Sequence, residues 1–144
     1  MNNRISKIAL SAALILIIFS GAVTRLEAGE KRSATRELTM KNFENSLEYH
    51  ECPGIVESTI YNVVVYKSIN PDLNYSNLNS ELKRVAEDNK DVAIRYKAQL
   101  ASLYLDYGSI IDLTLELSSS NHEYVFKQIS EQLDKKFLVS QTTE

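Results

Sequence analysis

An all-α fold is predicted by three observations. The chain of 144 residues contains only four glycines and two prolines, too few breakers for a sandwich that must turn about every 8–12 residues. Beyond residue 38 its apolar residues recur mostly at spacings of three and four, the signature of amphipathic helices. Its single cysteine, Cys52, cannot form an internal disulfide, so packing alone has to hold the fold together. The expectation is a small bundle of four to five helices built around a central, close-packed helical hairpin.

The N-terminus reads as a targeting segment. Arg4 and Lys7 precede an uncharged run from Ile8 to Thr24 that ends among small residues, which is the pattern of a secretory signal. Residues 1–28 are read as that signal, with cleavage after Ala28 or, on the small-residue rule, after Ala22. The run is short for a helix crossing about 30 Å of hydrocarbon, so an uncleaved membrane anchor is the minor alternative. No cysteine lies in the first 50 residues, which excludes a lipoprotein anchor. The expected location is therefore outside the cytoplasm, periplasmic or secreted. Removing residues 1–28 takes away Arg4, Lys7, Arg25 and Glu27, leaving 13 Lys and Arg against 18 Asp and Glu, a formal charge of −5. With no basic stripe and a mildly acidic balance, nucleic acid is a poor partner.

The elements follow in order. Residues 29–37, GEKRSATRE, are polar and read as a loose lead-in to one helical domain over 38–138, with a frayed tail at 139–144. Met40, Phe43, Leu47 and His50 line one helix face, and Cys52-Pro53-Gly54 is expected to end that helix. Residues 55–69 are rich in β-branched side chains, which suit a strand. Their length and the stripe Val56, Ile60, Val63/Val64 favour a buried helix. NPDLNYSN, 70–77, is the clearest loop. Residues 78–88 and 92–107 read as two helices folded back on each other, with apolar positions Leu78, Leu82, Val85, Val92, Tyr96, Leu100, Leu103 and Tyr107. Asp91 is placed to cap the second by accepting its first free N–H groups, and Gly108 to end it. Residues 109–117 alternate as a strand would, yet Ser109 and Asp112 are spaced like a helix cap and its partner; a short helix is preferred. Ser120-x-x-Glu123 is a capping box that opens a last helix with Val125/Phe126, Ile129, Leu133 and Phe137 on one face.

Residues 82–105, LKRVAEDNKDVAIRYKAQLASLYL, resemble a single HEAT-type helical repeat. Leu82, Val85, Asp88, Ile94, Arg95, Ala98, Ala101 and Leu103 fall in comparable places. The resemblance implies two helices brought close through Ala98 and Ala101, with an acidic turn between them. Ala93, Tyr96 and Ala101 make the same stretch similar to a tetratricopeptide hairpin. No second copy occurs, whereas solenoids need about three repeats to bury a continuous core.

Few residues carry candidate chemistry. The stretch LEYHECPG, 47–54, pairs His50 with Cys52, but a structural zinc site needs four ligands and the only other histidine is His122. A corner between helices is the preferred reading, with Cys52 filling a small space at the turn. A small metal- or thiol-dependent protein centred on His50 and Cys52 is the alternative. HEYVF, 122–126, begins like a zinc-protease motif but has Phe126 where the second imidazole must stand. Glu44 and Glu48 share a helix face without the histidines a di-iron bundle requires. No glycine-rich phosphate loop or G-x-S-x-G elbow is present. No cofactor and no enzymatic activity are expected. Tyrosine joins apolar area to a hydroxyl and suits binding surfaces. Tyr96, Tyr104 and Tyr107, with Arg95 beside them, are the candidate rim of a groove for a protein or peptide.

Overall fold

The structure is a computed structural model, and it describes residues 31–48, 52–111, 113 and 122–141, with side chains as far as residue 136. The chain forms two compact units, residues 1–40 and 41–144. The candidate signal segment, His50 and Ser120 lie outside the described residues.

Helix α1 covers residues 31–48. Residues 31–37, expected to be a loose lead-in, belong to it. Lys31, Arg32, Ala34, Arg36 and Glu37 are good helix formers and no breaker interrupts them. The hydroxyls of Thr35 and Thr39 donate to carbonyls one turn back, at 2.9 Å each.

In the unit 41–144 the end of α1 meets α2 (Pro53–Ile69), with the Phe43 ring edge-on to Tyr66 at 5.6 Å. The corner differs from expectation in two ways. Pro53 starts α2 instead of only stopping what precedes it, because a first-turn residue has no use for the N–H that proline lacks. Cys52 lies exposed before it and fills no space; its carbonyl accepts the N–H groups of Ile55 and Val56 at 3.0 and 3.2 Å. The β-branched stretch is helical, as its length suggested. Val56, Ile60, Val63 and Val64 are completely buried, so tertiary burial outweighs their strand preference.

The loop 70–75 is tied tightly. The single proton of the Tyr75 hydroxyl is shared between the carbonyls of Asn70 (2.9 Å) and Tyr66 (3.2 Å). Lys67 donates to the Pro71 carbonyl at 2.9 Å and lies 4.7 Å over the Tyr75 ring.

Helices α3 (Ser76–Asp88) and α4 (Val92–Tyr107) form the hairpin, and their mutual packing is the most extensive among the described helices α2 to α5. Asp91 caps α4, accepting the N–H groups of Ala93 and Ile94 at 2.8 and 3.3 Å. Ala98 and Ala101 are fully buried. A polar seam crosses the interface: Ser102 donates to Asn79 Oδ1 (2.7 Å), and Asn79 Nδ2 donates to Asp106 (2.5 Å). Lys83 of α3 also reaches Asp106, at 3.3 Å. Each buried group is thus partnered, which avoids the cost of an unsatisfied amide or hydroxyl.

Gly108 follows α4 in a right-handed conformation, with φ −58°. A Cβ there would stand 2.7 Å from the Tyr104 carbonyl oxygen, so the close approach favours glycine. The short helix expected from 109 does not begin there: 108–110 form a turn, and 111 and 113 are irregular. The Ile110 N–H is already spent on the Tyr107 carbonyl at 3.0 Å. The rest of that stretch, 112 and 114–117, lies outside the described residues.

Helix α5 (His122–Gln141) packs on α4 and buries Val125, Phe126, Ile129 and Leu133. Glu123 in its first turn suits the positive end of the helix dipole. The architecture is an all-α bundle in which α4 is central, touching α3, α2 and α5 in decreasing extent.

Candidate functional site

Helix α4 carries apolar side chains on two opposed faces. At about 100° per residue, Ile94, Lys97, Ala98, Ala101 and Tyr104 share one arc, and all are buried. Val92, Tyr96, Leu103 and Tyr107 lie on the opposite arc. Val92 is 66% exposed, Tyr96 53% and Tyr107 43%, and Leu103 is half-buried. Spacing in steps of three and four places Val92, Tyr96, Leu100, Leu103 and Tyr107 in one apolar series without saying which way it points, and of these Leu100 is buried. The row spans fifteen positions from 92 to 107, roughly 22 Å of helix.

This geometry sorts the expected tyrosine rim. Tyr96 and Tyr107 stand on the outer row, and Arg95 is half-buried beside it. Tyr104 is not part of any rim: it is only 5% exposed, and burial pushes its phenol above the ordinary tyrosine pKa. Eight positions from Tyr96 turn it well away from that row and into the core.

Beside the outer row, α4 and α5 leave a cleft of about 350 Å³, lined by Tyr96, Lys97, Glu123, Phe126, Lys127 and Ser130 among others. The Tyr96 hydroxyl donates to Ser130 Oγ at 3.0 Å across it. Phe126 supplies apolar area, and the exposed Lys127 and Glu131 pair at 3.8 Å.

The central charged group was not foreseen. Lys97 lies within the buried arc, with only 7% of its side chain exposed. Its ammonium donates to Glu57 of α2 at 2.5 Å and to Glu123 of α5, and stands 5.9 Å from the Phe126 ring. Desolvation pulls the Lys97 pKa down, but hydrogen bonds to Glu123 and Glu57, reinforced by their charges, more than offset it. The net position lies above the ordinary 10.5. An amine held charged in this way is a poor nucleophile or base near neutral pH, so the arrangement ties three helices together and does not activate lysine. On the same two outer helices, α2 and α5, the rings of Tyr61 and His122 stack 4.0 Å apart, within 17° of parallel. The visible signal in the sequence was a lysine at a core position between Ile94 and Ala98. Its partners, 40 and 26 residues away, were beyond the reach of spacing.

Among the described residues no three His, Cys, Asp or Glu side chains gather as metal ligands. Cys52 is a free, exposed thiol. His122, the possible distant ligand, is engaged with Tyr61. Asp91, Ala98 and Ala101 perform their expected structural parts, whereas Glu123 is the clasp partner of Lys97. No helix of the described residues is long and apolar enough to cross a membrane.

Fold and site together define a small all-α bundle with an apolar outer helix face and an adjoining cleft. No protein-family model matches the chain, and comparisons with curated proteins and with solved structures return no match.

Proposed function

We propose that this is an exported, non-catalytic interaction module that takes a protein or peptide segment against the outer face of α4. The observation that carries it is the row Val92, Tyr96, Leu103 and Tyr107, set opposite the packed face and still open to water at Val92, Tyr96 and Tyr107. A row of large apolar side chains on a helix face opposite the packed one is a candidate contact surface. The row's length suits an amphipathic partner helix, which would set its own i, i+4 and i+7 anchors along it. Tyr96 is the natural anchor, since a partly exposed aromatic beside a cleft gains area on binding at small cost in side-chain freedom. The likeness of 82–105 to a helical-repeat hairpin agrees with peptide binding, and the basic-then-apolar start agrees with export.

The test is to pan a displayed peptide library over the purified chain, and then over Tyr96→Ala and Val92→Asp variants that retain the wild-type helical content. Peptides with helically spaced apolar residues should be enriched, and should lose about tenfold or more in affinity for each variant. Peptides that bind all three proteins equally would move the interface elsewhere, and with it this function.

A further inference from the structure

We propose that the Lys97 clasp is an acid-released latch, which undocks α5 as a unit while the α3–α4 hairpin stays folded. It holds whatever the outer face of α4 binds. The case rests on where the counter-charges come from. The ammonium sits on α4, one carboxylate on α2 (Glu57) and the other on α5 (Glu123), and Lys97 itself is nearly inaccessible to water. Both carboxylates retain contact with solvent, so protons reach them without prior unfolding. Acid strong enough to protonate both glutamates removes both partners and leaves a buried cation, which is far costlier than a paired one. The ammonium then regains water most directly by displacing α5, the least extensively packed of α4's three partners.

The surrounding charges leave this direction unchanged. From α5, Lys127 and Glu131 flank the cleft and pair with each other. From α2, Tyr61 stacks on His122. On α3, Glu81 pairs with Arg84 and Lys83 with Asp106. The hairpin is joined by its alanines and by the Ser102–Asn79 hydrogen bond, which does not titrate; its one carboxylate, Asp106, pairs with the exposed Lys83, so protonating it leaves no buried cation behind.

Residue-resolved hydrogen exchange on the full chain tests the latch, with protection factors compared at neutral pH and in acid well below the ordinary glutamate range, at about pH 3. In acid the α5 amides should lose roughly tenfold or more of their protection while the α3–α4 amides keep theirs. Glu57→Gln combined with Glu123→Gln should produce the same pattern at neutral pH. Lys97→Met, which removes the buried charge and keeps most of the bulk, should hold α5 in place in acid. His122→Phe, which preserves the ring stack, should leave the acid transition where it is. The latch is overturned if protection is lost throughout the chain together, or if α5 stays protected in acid. It is equally overturned if Lys97→Met releases α5 as readily as wild type, or if His122→Phe abolishes the transition. Should Lys97→Met fail to fold, the double glutamine variant decides: unaltered α5 protection at neutral pH refutes the latch.

Discussion

The α3–α4 hairpin and the docking of α5 solve one problem with different chemistry. Both bury apolar side chains, and both contain a polar contact that fixes register. In the hairpin that contact is a seam from Ser102 through Asn79 to Asp106, assisted by alanines that let the backbones approach. At α5 it is an ammonium shared by two carboxylates. In the seam only Asp106 titrates, and its cation Lys83 is exposed, so acid leaves no buried charge there, whereas the Lys97 ion pairs are only as good as both their charges. Two halves of one small bundle are therefore expected to respond differently to the same solvent.

The sharpest way to break this contrast is to cut each half at its core. Leu82→Ala in the hairpin and Ile129→Ala in α5 both remove a fully buried side chain, each at a cost of about 2–5 kcal/mol. Leu82→Ala should unfold everything in one transition. Ile129→Ala should loosen α5 first, so that circular dichroism and α5-specific exchange no longer coincide. Coincident transitions for both variants would make the two halves one cooperative unit.

Overpacking ranks next. Ala98→Leu or Ala101→Leu should cost roughly 1–3 kcal/mol, read as a fall in the chemical-denaturation midpoint. Near-unchanged midpoints would mean that the hairpin is not joined through those alanines. Asp91→Ala removes the α4 cap, at about 1 kcal/mol, and Asp91→Asn should restore most of it, because either side chain can accept the first N–H groups.

The smallest effect is confined to alkali. A lysine whose pKa is raised on folding contributes its stabilisation in full below the ordinary 10.5 and loses it as pH climbs through the folded value. On the alkaline side, wild type should therefore begin to lose stability relative to Lys97→Met above about pH 10.5. Parallel stability curves of the two proteins through that range would show that the charge makes no net contribution.

The legible parts of the sequence were those in which neighbours decide the outcome. The hairpin could be read because α3 places Leu78, Leu82 and Val85 on one face, and because Asp91 caps its successor locally. Helix α2 could be read from length. What was misread turns on orientation or distance. Proline breaks a helix or begins one depending on which side the turn falls, and Pro53 begins one. Tyr104 shares a helix and a residue type with Tyr96 but not its direction. Lys97 finds its partners in the fold alone, since Glu57 and Glu123 lie on other helices. The outer row of α4 was legible as a pattern, but whether it faced core or solvent depended on three other helices.

The tyrosine that pins the loop between α2 and α3 has a practical corollary. Because Tyr75 reaches back to the carbonyls of Tyr66 and Asn70, that corner is an elbow and not a tether, built from residues nine positions apart at most. A purification tag or reporter spliced between Pro71 and Leu73 would prise the elbow open and tilt α3 away from its neighbours. Polar sequence and surface position make this loop look like the obvious place for such an insertion, and its bonding makes it a poor one.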